Sequence, residues 1–159
     1  METQSNDIEI LKFLIFSNYK VISMNINDIS NEEAMVLDIQ KTKEFWTKIG
    51  FSINEQFSDD KAVCVVLNDT IYVMFLTEEY FQTFSERPVP KGDTTQVLVA
   101  IGLNSREEVD QVVNAAVANG AYQHEEPQDY GWMYQNSFWD INGHGWNVTF
   151  ADMSQIPQE

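Results

Sequence analysis

Positive charge is scarce in this chain. Nine Lys and Arg stand against 25 Asp and Glu in 159 residues, a formal net charge of −16. No Lys or Arg follows Arg106, so the last third carries only acids and the two histidines, His124 and His144. Binding nucleic acid depends on cations that displace phosphate counterions, so that class is excluded, and an anionic membrane surface repels the chain for the same reason. The acidity reads first as a solubilising surface and second as a field around a cavity for a cationic ligand. Cysteine is nearly absent as well. Cys64, in the run Ala62-Val63-Cys64-Val65-Val66, has no partner for an internal disulfide and reads as a small buried hydrophobe. Long apolar runs are missing: residues 8–16 are too short to span a bilayer and are broken by Glu9 and Lys12. Without a basic leader or a small-residue cleavage site, the expectation is a cytoplasmic protein. G-x-S-x-G, Gly-rich phosphate loops and Ser–His–Asp arrangements are all lacking, so no catalytic residue is assigned.

What is present is core material. Ten Phe and four Trp within a 43% apolar chain supply enough buried surface for one globular domain. Residues 1–30 form an unplaced N-terminal extension, in which 8–16 fit helix or strand and 19–26 alternate enough for a strand. Ala34-Met35-Val36-Leu37 is a short strand-like run, and Asp38 after it suits a helix N-cap. Ile39, Thr42, Trp46 and Ile49 then recur at helical spacing and Gly50 stops the helix. Strands are expected at 51–57, 61–67 and 70–76, separated by Ser/Asp/Asn turns, and a short helix capped by Thr77 at 77–85. The Pro-containing stretch 87–93 is the clearest linker. Beyond it the order repeats. A strand at 96–103 precedes a helix opened by the Ser105/Glu108 capping box, with Val109, Val112, Val113 and Ala116 on one face. Asn119-Gly120 ends it, and strands follow at 121–126, 131–139 and 144–151, the last two joined through Asn142-Gly143. Each half reads β-α-β-β-β.

Two segments carry a family resemblance. Residues 38–51, Asp-Ile-Gln-Lys-Thr-Lys-Glu-Phe-Trp-Thr-Lys-Ile-Gly-Phe, resemble the Asp-Leu-x-x-Ser-x-x-Phe-Tyr-x-x-Leu-Gly-Phe helix of the glyoxalase, bleomycin-resistance and extradiol-dioxygenase (vicinal oxygen chelate) superfamily. Residues 137–148, Ser-Phe-Trp-Asp-Ile-Asn-Gly-His-Gly-Trp-Asn-Val, resemble its closing hairpin, Phe-x-Asp-Pro-Asp-Gly-x-x-Trp-Glu-Val. The resemblance implies an α+β fold of two βαβββ modules, whose mixed sheets curve into a cup with the helices on the outer face. The expected boundaries are 1–30 extension, 31–88 first module, 89–93 linker, 94–153 second module and 154–159 tail. One fold hosts lyases, dioxygenases, epimerases and drug binders, so function does not follow from it.

Family enzymes place His or Glu metal ligands on the inner face of four strands. Here the opening position falls near Asn31, with Glu32 and Glu33 beside it. The matching face of 70–76 offers Tyr72, Met74 and Leu76; residues 96–103 hold no His, Glu, Asp or Cys; Asn147 stands where the family has Glu. At most one of four positions carries a carboxylate, so neither a metal nor any other cofactor is expected. His144 reads as a turn or rim residue; His124 and Glu125 would suit a metal or proton-transfer cluster, but neighbours in a strand point to opposite faces. What remains is an aromatic wall. In 131–139, Trp132, Tyr134, Asn136 and Phe138 share one face and Met133, Gln135, Ser137 and Trp139 the other; one row packs on helices and the other lines the cup. The expected ligand-binding residues are Tyr72, Met74, Trp132, Tyr134, Phe138, Trp139 and Asn147. With Glu78, Glu79, Glu125, Glu126 and Asp129 at the rim, they would hold a cationic or aromatic small organic molecule in a metal-free homodimer. The alternatives are a lyase or dioxygenase with displaced metal ligands, and a regulatory partner-binding domain with a vestigial cavity.

Overall fold

The computed structural model describes residues 20–26, 32–89, 95, 97–123 and 125–157, with 32–37 in backbone only. The chain divides into two compact units, the main division falling between residues 89 and 90. Among the described residues no helix is long and apolar enough to cross a membrane.

The first unit runs β1 (Lys20–Asn25), α1 (Glu32–Lys48), β2 (Ser52–Ile53), β3 (Ala62–Asn68), β4 (Ile71–Leu76) and α2 (Glu78–Gln82). Its sheet has the order β1-β4-β3-β2, with β1 parallel to β4 and the other pairs antiparallel. The helical spacing read from the sequence is real: Ile39, Thr42, Phe45, Trp46 and Ile49 are all buried. Trp46 lies 5.4 Å from Phe75, ring centre to ring centre, which places α1 on the face shared by Val63, Val65, Val73 and Phe75.

Two expectations fail in this unit. Ala34–Leu37 is not the opening strand but part of α1, and Asp38 sits inside the helix instead of capping it. The opening strand is β1, inside the stretch expected to lie outside the module. Ala34–Leu37 is only four residues long, and so short an apolar run has no period to separate strand from helix. Glu, Ala, Met and Leu are strong helix formers and extend α1 back to Glu32. Residues 51–57 likewise pair only through Ser52 and Ile53. The Asn54 side chain then accepts the Gln56 N–H at 3.1 Å and starts a 3-10 turn, Glu55–Phe57. The stretch 8–16 lies outside the described residues.

The second unit runs β5 (Leu98–Gly102), α3 (Arg106–Ala118), β6 (Gln128–Asp129), β7 (Met133–Trp139) and β8 (Gly145–Ala151). The order β5-β8-β7-β6, with β5 parallel to β8, repeats the first sheet's topology. Ser105 caps α3 by accepting the Glu108 N–H at 3.1 Å, while Glu108 reaches back to Asn104 N at 2.9 Å, not to Ser105. Val109, Val113 and Ala116 are buried as α3 packs on β7 and β8. The strand expected at 121–126 reduces to one bridge, Tyr122 to Trp139, and the next paired segment is β6, beyond Pro127. From Gln123 to Glu126 there is no apolar side chain to bury, so pairing there would gain little. Gly143 takes a φ of 86° in the β7–β8 hairpin, a left-handed turn conformation that favours glycine. Together the units form an α+β fold of two βαβββ modules, each a mixed four-stranded sheet with its long helix on one face.

Candidate functional site

Side chains alternate between the two faces of a strand, so one anchored residue assigns a whole row. In the second unit the anchor is Tyr134. Its hydroxyl donates to Asp110 Oδ1 of α3 at 2.7 Å, and Asn136 Nδ2 reaches the same oxygen at 3.4 Å. Tyr134, Asn136 and Phe138 on β7 therefore face α3, as do their cross-strand partners Phe150, Val148 and Trp146 and, beyond these, Ile101 and Val99. Phe138, Trp146 and Val148 are essentially inaccessible. The opposite face carries Leu98, Ala100 and Gly102 from β5, Gly145, Asn147, Thr149 and Ala151 from β8, and Met133, Gln135, Ser137 and Trp139 from β7. None of these can ionise.

The rows of this second face follow from the pairing register. Leu98, Gly145 and Trp139 lie abreast; next come Ala100, Asn147 and Ser137, then Gly102, Thr149, Gln135 and Gln128. Gly145 is required by close approach: a Cβ there would overlap Leu98 Cδ2 and stand 2.9 Å from Trp139 Cζ3. Leu98 and Trp139 thus converge over a bare backbone as an apolar platform. Beside it, the side chains of Ser137, Asn147 and Gln135 make no hydrogen bond among the described residues, although Ser137 is only 8% exposed. Thr149 Oγ1 is engaged, donating to the Ile101 carbonyl at 3.3 Å.

This geometry sorts the expected site residues. Trp139 and Asn147 stand together on the helix-free face. Tyr134 and Phe138 do not: they turn to α3, Phe138 into the core and Tyr134 half-buried beneath Arg106, so the expectation of a cup role is corrected. Trp132 lies just before β7, half-buried, its carbonyl accepting the Asp152 N–H at 2.7 Å. Tyr72 and Met74 occupy the face of the first sheet opposite α1, but that face is covered from within its own unit. Ala62, Cys64, Met74 and Leu76 form a buried cluster on which Phe57, Tyr80 and Phe81 pack. Met74 is 3% exposed and offers no open surface; Tyr72 is half-buried at the margin. Burial pushes the Cys64 thiol up to about 12, so it stays protonated and inert. Gly145 and Leu98 went unnoticed in the sequence; the small residue between His144 and Trp146 was the available signal.

The remaining polar groups are committed to structure. Arg106 pairs with Asp129, donates to the Gly131 carbonyl at 2.7 Å and lies 5.3 Å over the Tyr134 ring. The hydrogen bond with Asp129 raises the Arg106 guanidinium, and the same bond holds the Asp129 carboxyl below its usual range. Tyr134 is pushed up to about 12, chiefly by desolvation and then by its bond to Asp110. Asp140, the hairpin carboxylate, accepts the Asn142 N–H (2.9 Å), the His144 N–H (3.0 Å) and the Trp146 indole N–H (2.8 Å). Burial raises its pKa against the opposing pull of His144 and these donors. Of the expected rim acids, Asp129 is therefore neutralised by Arg106, and Glu78 and Glu79 sit in the first turn of α2, where they favour the helix dipole. Glu125 and Glu126 are exposed. His124 and Asn31 lie outside the described residues.

A divalent ion of the kind the fold's enzymes carry does not fit this donor set. Beside Tyr72, Met74 and Leu76, β1 presents Val21, Ser23 and Asn25, while β5 presents Leu98, Ala100 and Gly102 and β8 presents Asn147. Glu32 and Glu33 lie in the first turn of α1, not on a strand. No group of three His, Cys, Asp or Glu close enough to share an ion occurs among the described residues.

Comparison with known proteins agrees with this architecture. The family model described as Glyoxalase/Bleomycin resistance protein/Dioxygenase superfamily matches residues 27–148. A hypothetical protein from S. aureus is 24% identical with a TM-score of 0.67, the match covering 85% of this chain and 94% of that one. A glyoxalase/bleomycin resistance protein/dioxygenase family enzyme from Burkholderia phytofirmans PsJN is 17% identical, TM-score 0.63, covering 83% and 97%. A bleomycin resistance determinant encoded on the transposon Tn5 is 12% identical, TM-score 0.56, covering 86% and 100%. At these identities the solved structures speak for the fold. A comparison with curated proteins gives no match. The chain belongs to the glyoxalase/bleomycin resistance protein/dioxygenase superfamily.

Proposed function

We propose that the helix-free face of the second sheet binds a small, flat organic molecule without a metal and without transforming it. Trp139, backed by Leu98, would stack on the ligand, and Asn147, Ser137 and Gln135 would meet its polar edge. The observation that carries this reading is the association of an apolar platform over Gly145 with three neutral polar side chains that make no hydrogen bond among the described residues. Convergent polar groups beside an apolar surface are the usual make-up of a small-molecule site. Trp132, half-buried just before β7 in the same unit, is a further aromatic candidate. One protein that shares this fold is a bleomycin resistance determinant. The same reading includes a two-fold homodimer, because each sheet ends in edge strands that self-association can cover. The buried free thiol of Cys64 suits a reducing compartment such as the cytoplasm.

The test is calorimetric titration of wild type and Trp139→Ala with a panel of planar aromatics. The expected outcome is saturable binding that falls about tenfold or more in the variant. Equal affinity in both proteins would remove Trp139, and with it this site, from consideration. One transition-metal ion per chain by elemental analysis would overturn the metal-free part, and a monomeric mass by light scattering at micromolar concentration the dimer.

A further inference from the structure

Resting on the site just proposed, we infer its ligand class: an uncharged aromatic molecule carrying an amide-like edge, rather than the cation that the chain's net charge first suggests. The inference comes from what the face of β5, β7 and β8 opposite α3 presents. Every position on it is apolar, glycine or a neutral polar residue. The nearby carboxylates are spent elsewhere: Asp129 on Arg106, and Asp110 on Tyr134 from the other side of the sheet. A charged ligand on this face would shed water and find no counter-charge, whereas distant acids act only through screened, long-range attraction.

The neutral groups are placed to replace that water for an uncharged ligand. Ser137 and Asn147 are direct cross-strand partners, one row from the Leu98–Gly145–Trp139 platform, and Gln135 lies in the row beyond. Successive residues on one strand face are about 6.5–7 Å apart, close to the distance from the centre of a fused ring system to an amide substituent. A hydroxyl and two carboxamides each offer both donor and acceptor, which an amide edge can satisfy at once and a carboxylate or ammonium cannot. Ser137 is 8% exposed and its hydroxyl makes no hydrogen bond among the described residues, so it is open to such a complement.

Four probes of one shape test this by calorimetry at about 0.15 M ionic strength: 2-naphthamide, naphthalene, 2-naphthoate and 2-naphthylmethylammonium. The expected result is that the amide binds about tenfold tighter than each of the other three. Asn147→Ala should bring the amide down to the naphthalene level without changing naphthalene itself, and Trp139→Ala should weaken all four. If the ammonium or the naphthoate equals or exceeds the amide while Trp139→Ala still weakens binding, the ligand class is wrong and the site stands. An amide preference that survives Asn147→Ala also overturns the inference, since it would arise elsewhere. If no probe binds, or if Trp139→Ala changes nothing, the site itself fails and the inference with it.

Discussion

The two sheets share one topology, yet their helix-free faces meet opposite fates. In the first unit that face is Ala62, Cys64, Met74 and Leu76, sealed by Phe57 of the 3-10 turn and by Tyr80 and Phe81 of α2. In the second it is Asn147, Ser137, Gln135 and Thr149 beside Trp139, and Leu98 at its edge is 58% exposed. A βαβββ module therefore does not dictate what its far face does. Chain composition does: an apolar far face recruits a short amphipathic helix and becomes a second core, while the neutral polar one recruits no such helix among the described residues of its unit. The difference also fixes direction within one strand, since Phe138 and Trp139 are neighbours with opposite roles.

The sharpest way to break that contrast is at this pair. Phe138→Ala empties a site with no accessible surface and is expected to cost about 3–5 kcal/mol, read by urea unfolding. Trp139→Ala, one residue on, should cost far less stability; an equal loss in both would place Trp139 in the core. Asp140→Ala comes next. It strands the Asn142, His144 and Trp146 N–H groups, and a loss of about 3 kcal/mol is expected in the same assay. Its ionisation adds a pH signature. The folded carboxyl is raised above its ordinary 3.8, so the folded state holds the proton longer than the unfolded one. Wild type should accordingly lose stability relative to Asp140→Asn as pH rises through the window above 3.8, and a constant difference would contradict the raised value.

Gly145→Ala probes the platform. The added methyl must displace Leu98 or Trp139, for an expected cost of about 1–3 kcal/mol together with weaker ligand binding. A variant with wild-type stability and affinity would show that the convergence over Gly145 is unimportant. The smallest effect belongs to the cover of the first face. Thr77 Oγ1 accepts the Tyr80 N–H at the start of α2, so Thr77→Ala is expected to cost about 1 kcal/mol. Loosening α2 should also raise the rate at which a thiol reagent reaches Cys64, measured under native conditions; an unchanged rate would mean that α2 is not what seals the cluster.

Local signals made much of the fold legible. The Ser105 cap, the Val109/Val113/Ala116 stripe and the Asn142-Gly143 hairpin all lie where their residue chemistry put them. The family helix from Ile39 to Gly50 was equally plain, but its beginning was not, because the short apolar run Ala34–Leu37 suits strand or helix and only pairing with β4 singles out β1. The site was half legible. Aromatics occur on both rows of β7, and alternation alone cannot say which row meets α3. That choice rests on Asp110, 24 residues upstream, accepting the Tyr134 hydroxyl. Nor could composition show that Met74 would be covered, since the cover depends on where Thr77 turns the chain.

The most direct measurement is side-chain NMR during titration with 2-naphthamide, following the indole N–H signals of the four tryptophans and the Asn and Gln carboxamides. Trp139, Asn147 and Gln135 are expected to shift along one saturation curve, while Trp46 and Trp146, buried on the helix sides of their sheets, stay in place. Saturable binding with Trp139 and Asn147 unmoved would contradict it.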